Sequence, residues 1–134
     1  ILGISGRIVR AGKNINVAGN LEYGASKHVA FAILAVTKKF PLIRSALNLK
    51  YDSKIIKKFR DGGLTVLSYD RTKEPSHIKR KENASVLWGI KNSIKNIIKP
   101  PDIIFHRGNF GKEPMIIVFG ESPTDVIKKI ASIL

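Results

Sequence analysis

A run of small residues, Gly24, Ala25 and Ser26, stands just before Lys27 and His28. Small residues ahead of a helix let backbone N–H groups approach an anion, and the helix dipole adds to the attraction. The hydroxyl of Ser26 could bond a phosphate, and His28 could donate to the same group or move a proton. The alternative is an ordinary helix N-cap at Ser26, followed by a packed or exposed histidine.

A second polar loop, residues 70–75, follows a predicted strand. Ligands of α/β sheets usually bind beyond the ends of strands, so this loop is a candidate binding segment. Asp70 and Glu74 could hold a divalent cation, and Arg71 could hold a phosphate. The alternative is a surface loop with local ion pairs.

The third candidate loop, residues 107–114, combines Arg107 and Lys112 with two glycines, Gly108 and Gly111. Glycines that leave backbone N–H groups open, beside cationic side chains, are typical of a phosphate-binding nest. The loop is not a Walker motif, because the glycine spacing and the Ser or Thr after the lysine are absent. The alternative is a basic hairpin whose charges only face solvent.

Several other kinds of site are excluded or disfavoured. The chain has no cysteine, which excludes disulfides, thiolate metal sites and a cysteine nucleophile. His28, His77 and His106 lack the close spacings of a zinc site. Neither a nucleophile elbow nor an aromatic RNA-binding motif is present.

The charge balance indicates an anionic partner. The 134 residues include 24 Lys and Arg against 10 Asp and Glu, which gives a net charge of +14. Nucleic acid, an acidic membrane or small phosphorylated molecules would fit this charge, although many lysines are expected simply to solvate helix faces. No apolar run is long enough to cross a membrane, and we expect a cytoplasmic protein. Abundant isoleucine and lysine predict a thermophilic source.

Hydrophobic periodicity and turn residues predict the elements that position these loops. Arg44 and Asn48 fall on one predicted strand, and Ser122 with Pro123 opens the last helix. The alternation of strands and helices predicts an α/β sandwich with a mixed sheet. The predicted strands are 7–11, 15–18, 43–51, 64–69, 102–106 and 115–119. The predicted helices follow caps at Ser26, Asp52 or Ser53, and Ser122, with a further helix at 86–98 and a loop at 19–24.

The three loops belong to a longer series of short motifs. The series is GRIVR (6–10), GASKHVA (24–30), IRSALNLKY (43–51), DR with EP (70–75), WG (88–89), and RG with GKEPM (107–115). In their order and spacing these motifs resemble the ThiN-type thiamine-phosphate synthase domain. The resemblance extends from about residue 6 to the C-terminus.

The resemblance implies a fold, an activity and a cofactor. The fold would be a three-layer α/β/α sandwich with a mixed, largely antiparallel sheet, similar to the class II aldolase (AraD-like) fold. The activity would join hydroxymethylpyrimidine pyrophosphate to thiazole phosphate, giving thiamine phosphate and pyrophosphate. Mg²⁺ is implied by the pyrophosphate substrate. The zinc histidines of the aldolases have no counterpart here, so lyase activity is not implied.

The resemblance also implies site residues. Arg7 and His28 match the arginine and histidine that are functionally critical in the family, and we expect both to be catalytic. We expect Arg7, His28 and the helix start at Ser26 to face the pyrophosphate, and Arg107 and Lys112 to face the thiazole phosphate, although the two phosphates could be exchanged. Metal ligands are left open. The expected substrate-binding or phosphate-binding residues are Arg10, Gly24, Ala25, Ser26, Arg44, Asn48, Asp70, Arg71, Arg107, Gly108, Gly111 and Lys112.

The expected organisation is a single domain, residues 1–134, from the C-terminal part of a longer archaeal chain. The chain starts at Ile1 and its one methionine is Met115, which would fit fusion to an N-terminal hydroxymethylpyrimidine phosphate kinase. A thiamine-phosphate-sensing domain of a regulator is the alternative, and the presence of both Arg7 and His28 favours the enzyme. A nucleic-acid-binding accessory domain ranks third. We expect small phosphorylated substrates, no membrane, no specific nucleic acid, and a homo-oligomer as an open question.

Overall fold

The computed structural model describes residues 1–81 and 83–134. Within them, eight strands and five helices follow one another. The strands are β1 Leu2–Ile4, β2 Ile8–Ala11, β3 Asn14–Val17, β4 Leu21–Tyr23, β5 Ser45–Lys50, β6 Val66–Ser68, β7 Ile103–His106 and β8 Met115–Gly120. The helices are α1 Lys27–Thr37, α2 Ser53–Asp61, α3 Ser76–Lys79, α4 Ala84–Ile94 and α5 Pro123–Ala131, with a 3₁₀ turn at Arg71–Lys73.

The body of the molecule is built on a four-stranded sheet with the order β5-β8-β7-β6. Strand β8 pairs antiparallel with β5 and with β7, whereas β6 pairs parallel with β7. The predicted mixed sheet is confirmed. The parallel pair places the ends of β6 and β7, at Ser68 and His106, on the same edge of the sheet.

Different helices cover the two faces of this sheet. Ile104 and Ile117 face α1 and α4 and belong to one buried cluster. Ile103 and Val118 face α2 and α5 and belong to a second cluster. Because neighbouring residues of a strand point to opposite faces, one apolar strand can supply both clusters. The molecule therefore has three layers, with helices on each side of the sheet.

Local sequence signals fix the ends of two helices. Asp52 caps α2 by accepting a hydrogen bond from the Lys54 N–H at 2.8 Å, and the helix ends just before Gly62. Ser122 caps α5 by accepting from the Asp125 N–H at 3.1 Å, with Pro123 in the first turn. Both predicted caps are confirmed. Among the helices described, none is long and apolar enough to span a membrane.

The first 23 residues form a two-stranded β-ribbon, which we call the arm. The predicted hairpin is confirmed as β2 and β3, which pair from Ile8 opposite Val17 to Ala11 opposite Asn14. The ribbon continues through β1 and β4, which pair from Leu2 opposite Tyr23. The prediction of a loop over 19–24 is therefore wrong for β4, since that strand depends on a partner some 20 residues away in sequence.

One face of the arm exposes a row of apolar side chains. Residues directly opposite each other in a ribbon share a face, so the pairs of β1 with β4 and of β2 with β3 line up. A two-stranded ribbon gains little stability by itself, and exposed apolar rows of this kind are usual at binding surfaces. The exposed apolar residues of the row are Leu2, Ile8, Ile15, Val17, Leu21 and Tyr23.

Candidate active site

Buried polar side chains gather where β6 and β7 end. His106 is the last residue of β7 and is 1% exposed, and Tyr69, which follows β6, is 9% exposed. Arg71, in the 3₁₀ turn after Tyr69, is 8% exposed. The rings of Tyr69 and His106 have their centroids 5.2 Å apart. The site thus lies beyond strand ends, as expected for an α/β sheet.

The backbone after β7 selects the tautomer of His106. The Gly108 N–H donates to His106 Nδ1 at 3.1 Å, so that nitrogen is an acceptor and the proton of the neutral ring is on Nε2. Gly108 has φ +76°, and a Cβ there would overlap the Lys112 carbonyl oxygen. The turn therefore requires glycine. Burial, together with the nearby Arg71 charge, lowers the pKa of His106 to about 4.

Glu74 organises the cations of the site. Its carboxylate accepts from the Ser85 hydroxyl and from Lys112 Nζ at 3.3 Å, and lies 3.9 Å from the Arg71 guanidinium. The side chain of Glu74 is fully buried. Although burial favours the neutral acid, these partners lower the pKa of Glu74, Ser85 most and then Lys112 and Arg71. Glu74 is committed to these partners, which argues against the metal-ligand role considered for it.

His28 enters the site from the first turn of α1. Burial is the main cause that lowers the pKa of His28, and the Arg71 charge lowers it further. A charge on His28 in turn lowers the pKa of His106. Arg71 is thus the fixed cation beside two neutral imidazoles at neutral pH.

Four buried side-chain atoms in this region have no hydrogen-bond partner within the described residues. They are His28 Nε2, Tyr69 Oη, Arg71 Nε and His106 Nε2. A buried polar atom without a partner costs about 1–3 kcal/mol, so such atoms are rare unless a ligand or water bonds them. Their concentration around Arg71 makes this group the candidate place for a polar ligand.

A cleft of about 570 Å³ lies beside this group and shares Tyr69 and Arg71 with it. Three guanidinium groups, from Arg60, Arg71 and Arg107, line it, and that of Arg60 lies 5.6 Å from the centre of the Phe105 ring. Among the described residues, Asp70 is the one carboxylate in the lining, and the Thr72 hydroxyl and N–H lower the pKa of Asp70. The positive charge and the shape of the cleft suit a small phosphorylated ligand.

The structure does not give the loop 107–114 the open backbone that the sequence predicted. The N–H groups of Gly108, Asn109, Phe110 and Lys112 all donate within the loop, to His106, Lys112 and Asn109. The nest prediction is wrong for Gly108, whose N–H is engaged, whereas Gly111 stays a candidate, with φ +69° in the tight turn. Arg107 lines the cleft, whereas Lys112 turns inward to Glu74.

The start of α1 also differs from its prediction. Ser26 has φ +51°, which is unusual for a residue other than glycine, and its hydroxyl donates to the Ile4 carbonyl at 2.6 Å. Ser26 therefore ties α1 to the arm, and the predicted side-chain cap is wrong. Gly24 and apolar side chains of α1 line a separate cleft of about 330 Å³. Ala25 follows Gly24, and its carbonyl oxygen lies against Gly3.

Four of the expected site residues lie elsewhere. Arg7 is exposed at the start of β2, and it is not among the charges that act on His28 or His106. Arg10 is exposed on the arm and donates to the Gly12 carbonyl at 2.9 Å. The Arg44 backbone N–H donates to the Gly120 carbonyl, at the end of the sheet opposite to His106. Asn48 is exposed on β5.

The structure adds four residues that the sequence did not single out for this site. Their shared signal is position: each lies at a strand end or a helix end, where polar residues are common. His106 alone carried a usable hint, since a histidine that closes a fully apolar strand is unusual. The added residues are Arg60, Tyr69, Ser85 and His106.

Gly89 in α4 leaves room for the Tyr69 ring, and we expect Gly89→Ala to disrupt the packing of that ring. A Cβ at this buried position would overlap the Tyr69 ring. Such overpacking should lower the free energy of unfolding by about 1–3 kcal/mol, measured by urea denaturation. The exposed α4 variant Asn92→Ala should change it little. The idea is contradicted if combining Gly89→Ala with Tyr69→Ala gives strictly additive losses.

The three-layer fold and the cationic, donor-lined cleft together define an α/β domain suited to small phosphorylated ligands. The sequence profile of the family described as thiamine-phosphate synthase ThiN matches residues 1–132. The chain belongs to this family, and the resemblance of its motifs is confirmed.

Individual relatives agree with this assignment. The chain is 40% identical over 134 residues to thiamine-phosphate synthase ThiN of Methanothermobacter thermautotrophicus, covering 100% of this chain and 70% of the relative. It is 38% identical over 131 residues to the bifunctional thiamine biosynthesis protein ThiDN of Methanocaldococcus jannaschii, covering 97% of this chain but 30% of that protein. The solved C-terminal domain of a phosphomethylpyrimidine kinase superposes with a TM-score of 0.90 at 44% identity, covering 99% of this chain and 74% of that one.

Proposed function

We propose that this chain is a thiamine-phosphate synthase that joins hydroxymethylpyrimidine pyrophosphate to thiazole phosphate. The observation that carries the proposal is the group of four unpaired polar atoms, on His28, Tyr69, Arg71 and His106, inside a chain whose family match spans residues 1–132. Such a group needs a polar ligand, and both substrates of the family's reaction carry phosphate. The names of the relatives support the same activity.

The reaction separates charge, and the site is built to stabilise that charge. The thiazole nitrogen forms a bond to the methylene carbon of the pyrimidine, and pyrophosphate leaves with the electrons of the broken C–O bond. The pyrimidine ring can share positive charge at that carbon, so bond breaking can lead. The protein's main task is then to stabilise the leaving group. Arg71 supplies a fixed charge, and neutral His28 supplies a hydrogen bond.

Mg²⁺ is part of the proposal, and the residues of the cleft fit it. Mg²⁺ is usually held by one or two carboxylates together with substrate phosphates. Asp70 is exposed in the cleft and can serve as that carboxylate, whereas Glu74 is committed to Ser85 and Lys112. No cluster of three or more metal-ligating side chains occurs in the described part of the chain, so a cation here needs substrate oxygens. When bound, Mg²⁺ neutralises charge on pyrophosphate oxygens.

The thiazole phosphate is assigned to the outer part of the cleft, where Arg107 is exposed. We expect Arg107→Ala to raise the KM for thiazole phosphate about tenfold, and to raise that for the pyrimidine pyrophosphate less, because a charge-assisted hydrogen bond is lost. Steady-state kinetics with each substrate varied in turn measures both constants. Lys99→Ala, outside the cleft, is the matched control. Equal KM values for thiazole phosphate in Arg107→Ala and the parent would move its phosphate elsewhere.

The proposal includes a homo-oligomer formed through the apolar row of the arm. Supporting it, the apolar side chains of the row are exposed, and Arg7 stands exposed on the same arm. A neighbouring copy would cover the row and bring the arm against a second surface. Contact through the row would also restrict Arg7 to fewer conformations.

We therefore expect Ile15→Lys to dissociate the oligomer, because Ile15 is 74% exposed in the row and a buried unpaired charge is costly. Sedimentation velocity at micromolar concentration gives the mass. Asn16→Lys places the same charge on the opposite face of β3 and should leave the mass unchanged. A parent chain that sediments as a monomer would refute the oligomer.

A sensor that binds thiamine phosphate without turnover is the alternative, and neither relative is named as a regulator. Pyrophosphate release separates the two. The enzyme releases pyrophosphate with both precursors and Mg²⁺ and less when thiazole phosphate is omitted, whereas the sensor binds thiamine phosphate and releases none in either case.

Three further features stay proposals. The bifunctional relative supports fusion of this domain to an N-terminal kinase domain. The three layers and mixed sheet support the relation to class II aldolases. The cytoplasmic location and the archaeal, thermophilic source rest on composition and on the archaeal relatives.

A further inference from the structure

Two segments from distant parts of the chain line the cleft of about 570 Å³. One is the turn that holds Asp70 and Thr72, and the other is the start of the loop 107–114, with Arg107 and Gly108. The two segments carry the groups assigned above to the substrates, Asp70 for a cation and Arg107 for a phosphate. The separation of the two segments therefore decides whether both groups can reach one bound ligand.

A buried ion pair joins the two segments. Glu74 stands two residues after Thr72, and Lys112 Nζ from the loop 107–114 donates to the Glu74 carboxylate at 3.3 Å. The side chain of Glu74 is fully buried, and the Ser85 hydroxyl, near the start of α4, donates to its other carboxylate oxygen. Glu74 is thus fixed by α4 and in turn holds Lys112. We call the pair of Glu74 and Lys112 the brace.

The brace acts on the loop as a unit. Asn109 and Lys112 exchange backbone hydrogen bonds of 3.1 and 2.8 Å, so the two residues move together. Asn109 Nδ2 also donates to the Arg71 carbonyl at 3.5 Å, which is a second and longer contact between the same two segments. Because Arg107 stands at the base of this unit, a contact that fixes Lys112 also restricts Arg107.

The surroundings of Lys112 argue against a direct contact with an anion. Lys112 Nζ turns to Glu74, and the side chain of Lys112 is 31% exposed. Although burial favours the neutral acid, the hydrogen bonds from Ser85 and Lys112 lower the pKa of Glu74, so the carboxylate is charged at neutral pH. A lysine whose charge is offset by a carboxylate attracts an anion less than the exposed Arg107 does.

We infer that Glu74 and Lys112 are positioning residues that hold Arg107 at the separation from Asp70 that a phosphorylated ligand requires. The inference rests on the proposed function for the identity of that ligand, thiazole phosphate. The brace acts through Arg107 and does not touch the substrate. Lys112 therefore has a different role from the phosphate contact that the sequence predicted.

Glu74→Gln is the sharpest test, because two explanations predict effects of opposite sign. If charge alone matters, removal of a negative charge near the cleft strengthens the binding of an anion. If the brace positions Arg107, the same variant releases Lys112 and raises the Kd for thiazole phosphate about threefold to tenfold. Calorimetric titration with thiazole phosphate alone measures the Kd. Unchanged or tighter binding by folded Glu74→Gln overturns the inference.

A double-mutant cycle separates the brace from a direct contact. Lys112→Met should weaken binding as much as Glu74→Gln, and the paired variant should bind no worse than either single variant. The paired variant removes both charges of the ion pair, which proteins tolerate better than the loss of one partner. If the two losses multiply, Lys112 contacts the ligand itself and the inference is wrong.

The same paired variant shows whether the brace acts through Arg107. Adding Arg107→Ala to it should cost less than the roughly tenfold loss expected in the parent, because Arg107 is already misplaced. An undiminished loss would contradict the inference. Melting temperatures establish that each variant is folded.

Hydrogen exchange tests the brace without any ligand. The amide groups of the loop 107–114 should exchange faster in Lys112→Met, whereas those of β8 should keep the parental rate. Lys129→Met is the matched control, because Lys129 pairs with Asp102 at 2.9 Å at the other end of the sheet. This control should leave the loop exchange and the Kd unchanged. Parental loop exchange in Lys112→Met would overturn the inference.

Failure of the inference and failure of the proposed function are distinguishable. Faster loop exchange with weaker thiazole phosphate binding, but no thiamine phosphate formed by the parent, would sink only the proposed function. Thiamine phosphate formation with a Kd and a loop exchange that ignore both residues of the brace would sink only this inference. A parent chain that does not bind thiazole phosphate at millimolar concentration would also overturn the inference.

Discussion

Replacing His28 or Arg7 by alanine should lower turnover about a hundredfold or more, while the melting temperature changes little. Loss of a group that stabilises developing charge typically has this effect on kcat. His28 Nε2 is buried without a partner and lies in the neighbourhood of Arg71, so its ring can bond the departing pyrophosphate. Arg7 is exposed on the arm and away from His28, so its effect on turnover depends on the proposed oligomer, in which the arm of a neighbouring copy would bring Arg7 to the site. Because its side chain is exposed, its loss should change the melting temperature little.

The controls for this experiment are residues of the same types outside the site. His77→Ala changes an exposed histidine of α3, and Lys13→Ala removes a cation from the turn of the arm. Both should keep parental turnover, measured as thiamine phosphate formed at saturating substrates. Near-normal rates in His28→Ala and Arg7→Ala would refute the assignment of both residues.

The stability of the protein should fall steeply between pH 6.5 and pH 4 because His106 stays neutral in the folded state. The pKa of His106 is about 4 when folded, against an ordinary value of 6.5. Above pH 6.5 the His106 side chain is neutral in both the folded and the unfolded chain, so it contributes no pH dependence. Between these values only the unfolded chain takes up the proton, and the free energy of unfolding should fall by roughly 3 kcal/mol in total.

A variant isolates this contribution from the carboxylates. His106→Asn should reduce the fall in unfolding free energy between pH 6.5 and 4.5 to what His28, whose pKa is also lowered, contributes, whereas His77→Asn should not reduce it. Because the pKa of Glu74 is lowered in the folded state, the stability that Glu74 contributes is lost only below about pH 4.5, outside this window. Urea denaturation at several pH values gives the curves. If the parent and His106→Asn lose stability in parallel, His106 is not held neutral by the fold.

Features coded by neighbouring residues could be predicted from the sequence. Asp52 before α2 and Ser122 with Pro123 before α5 are local signals, and the structure confirms both. The alternating layers of the sheet were equally accessible, because apolar strands and amphipathic helices alternate along the chain. The motifs then connected three separate loops to one family before their positions were known.

Features that depend on distant partners could not be predicted in this way. β4 exists because β1 pairs with it, and Ser26 adopts φ +51° while its hydroxyl bonds the Ile4 carbonyl. The open nest expected in the loop 107–114 fails at Gly108, because its N–H donates to His106 Nδ1. His106 belongs to the site only through Tyr69 and Arg71, which lie more than 30 residues earlier in the sequence.

The most direct test of the central claim is the stoichiometry of products. The purified chain is incubated with hydroxymethylpyrimidine pyrophosphate, thiazole phosphate and Mg²⁺, and thiamine phosphate and pyrophosphate are quantified in the same sample. A thiamine-phosphate synthase forms the two products in equal amounts when both precursors are present, and forms no thiamine phosphate when either is omitted. A folded chain that binds both precursors and yields no thiamine phosphate would contradict the account.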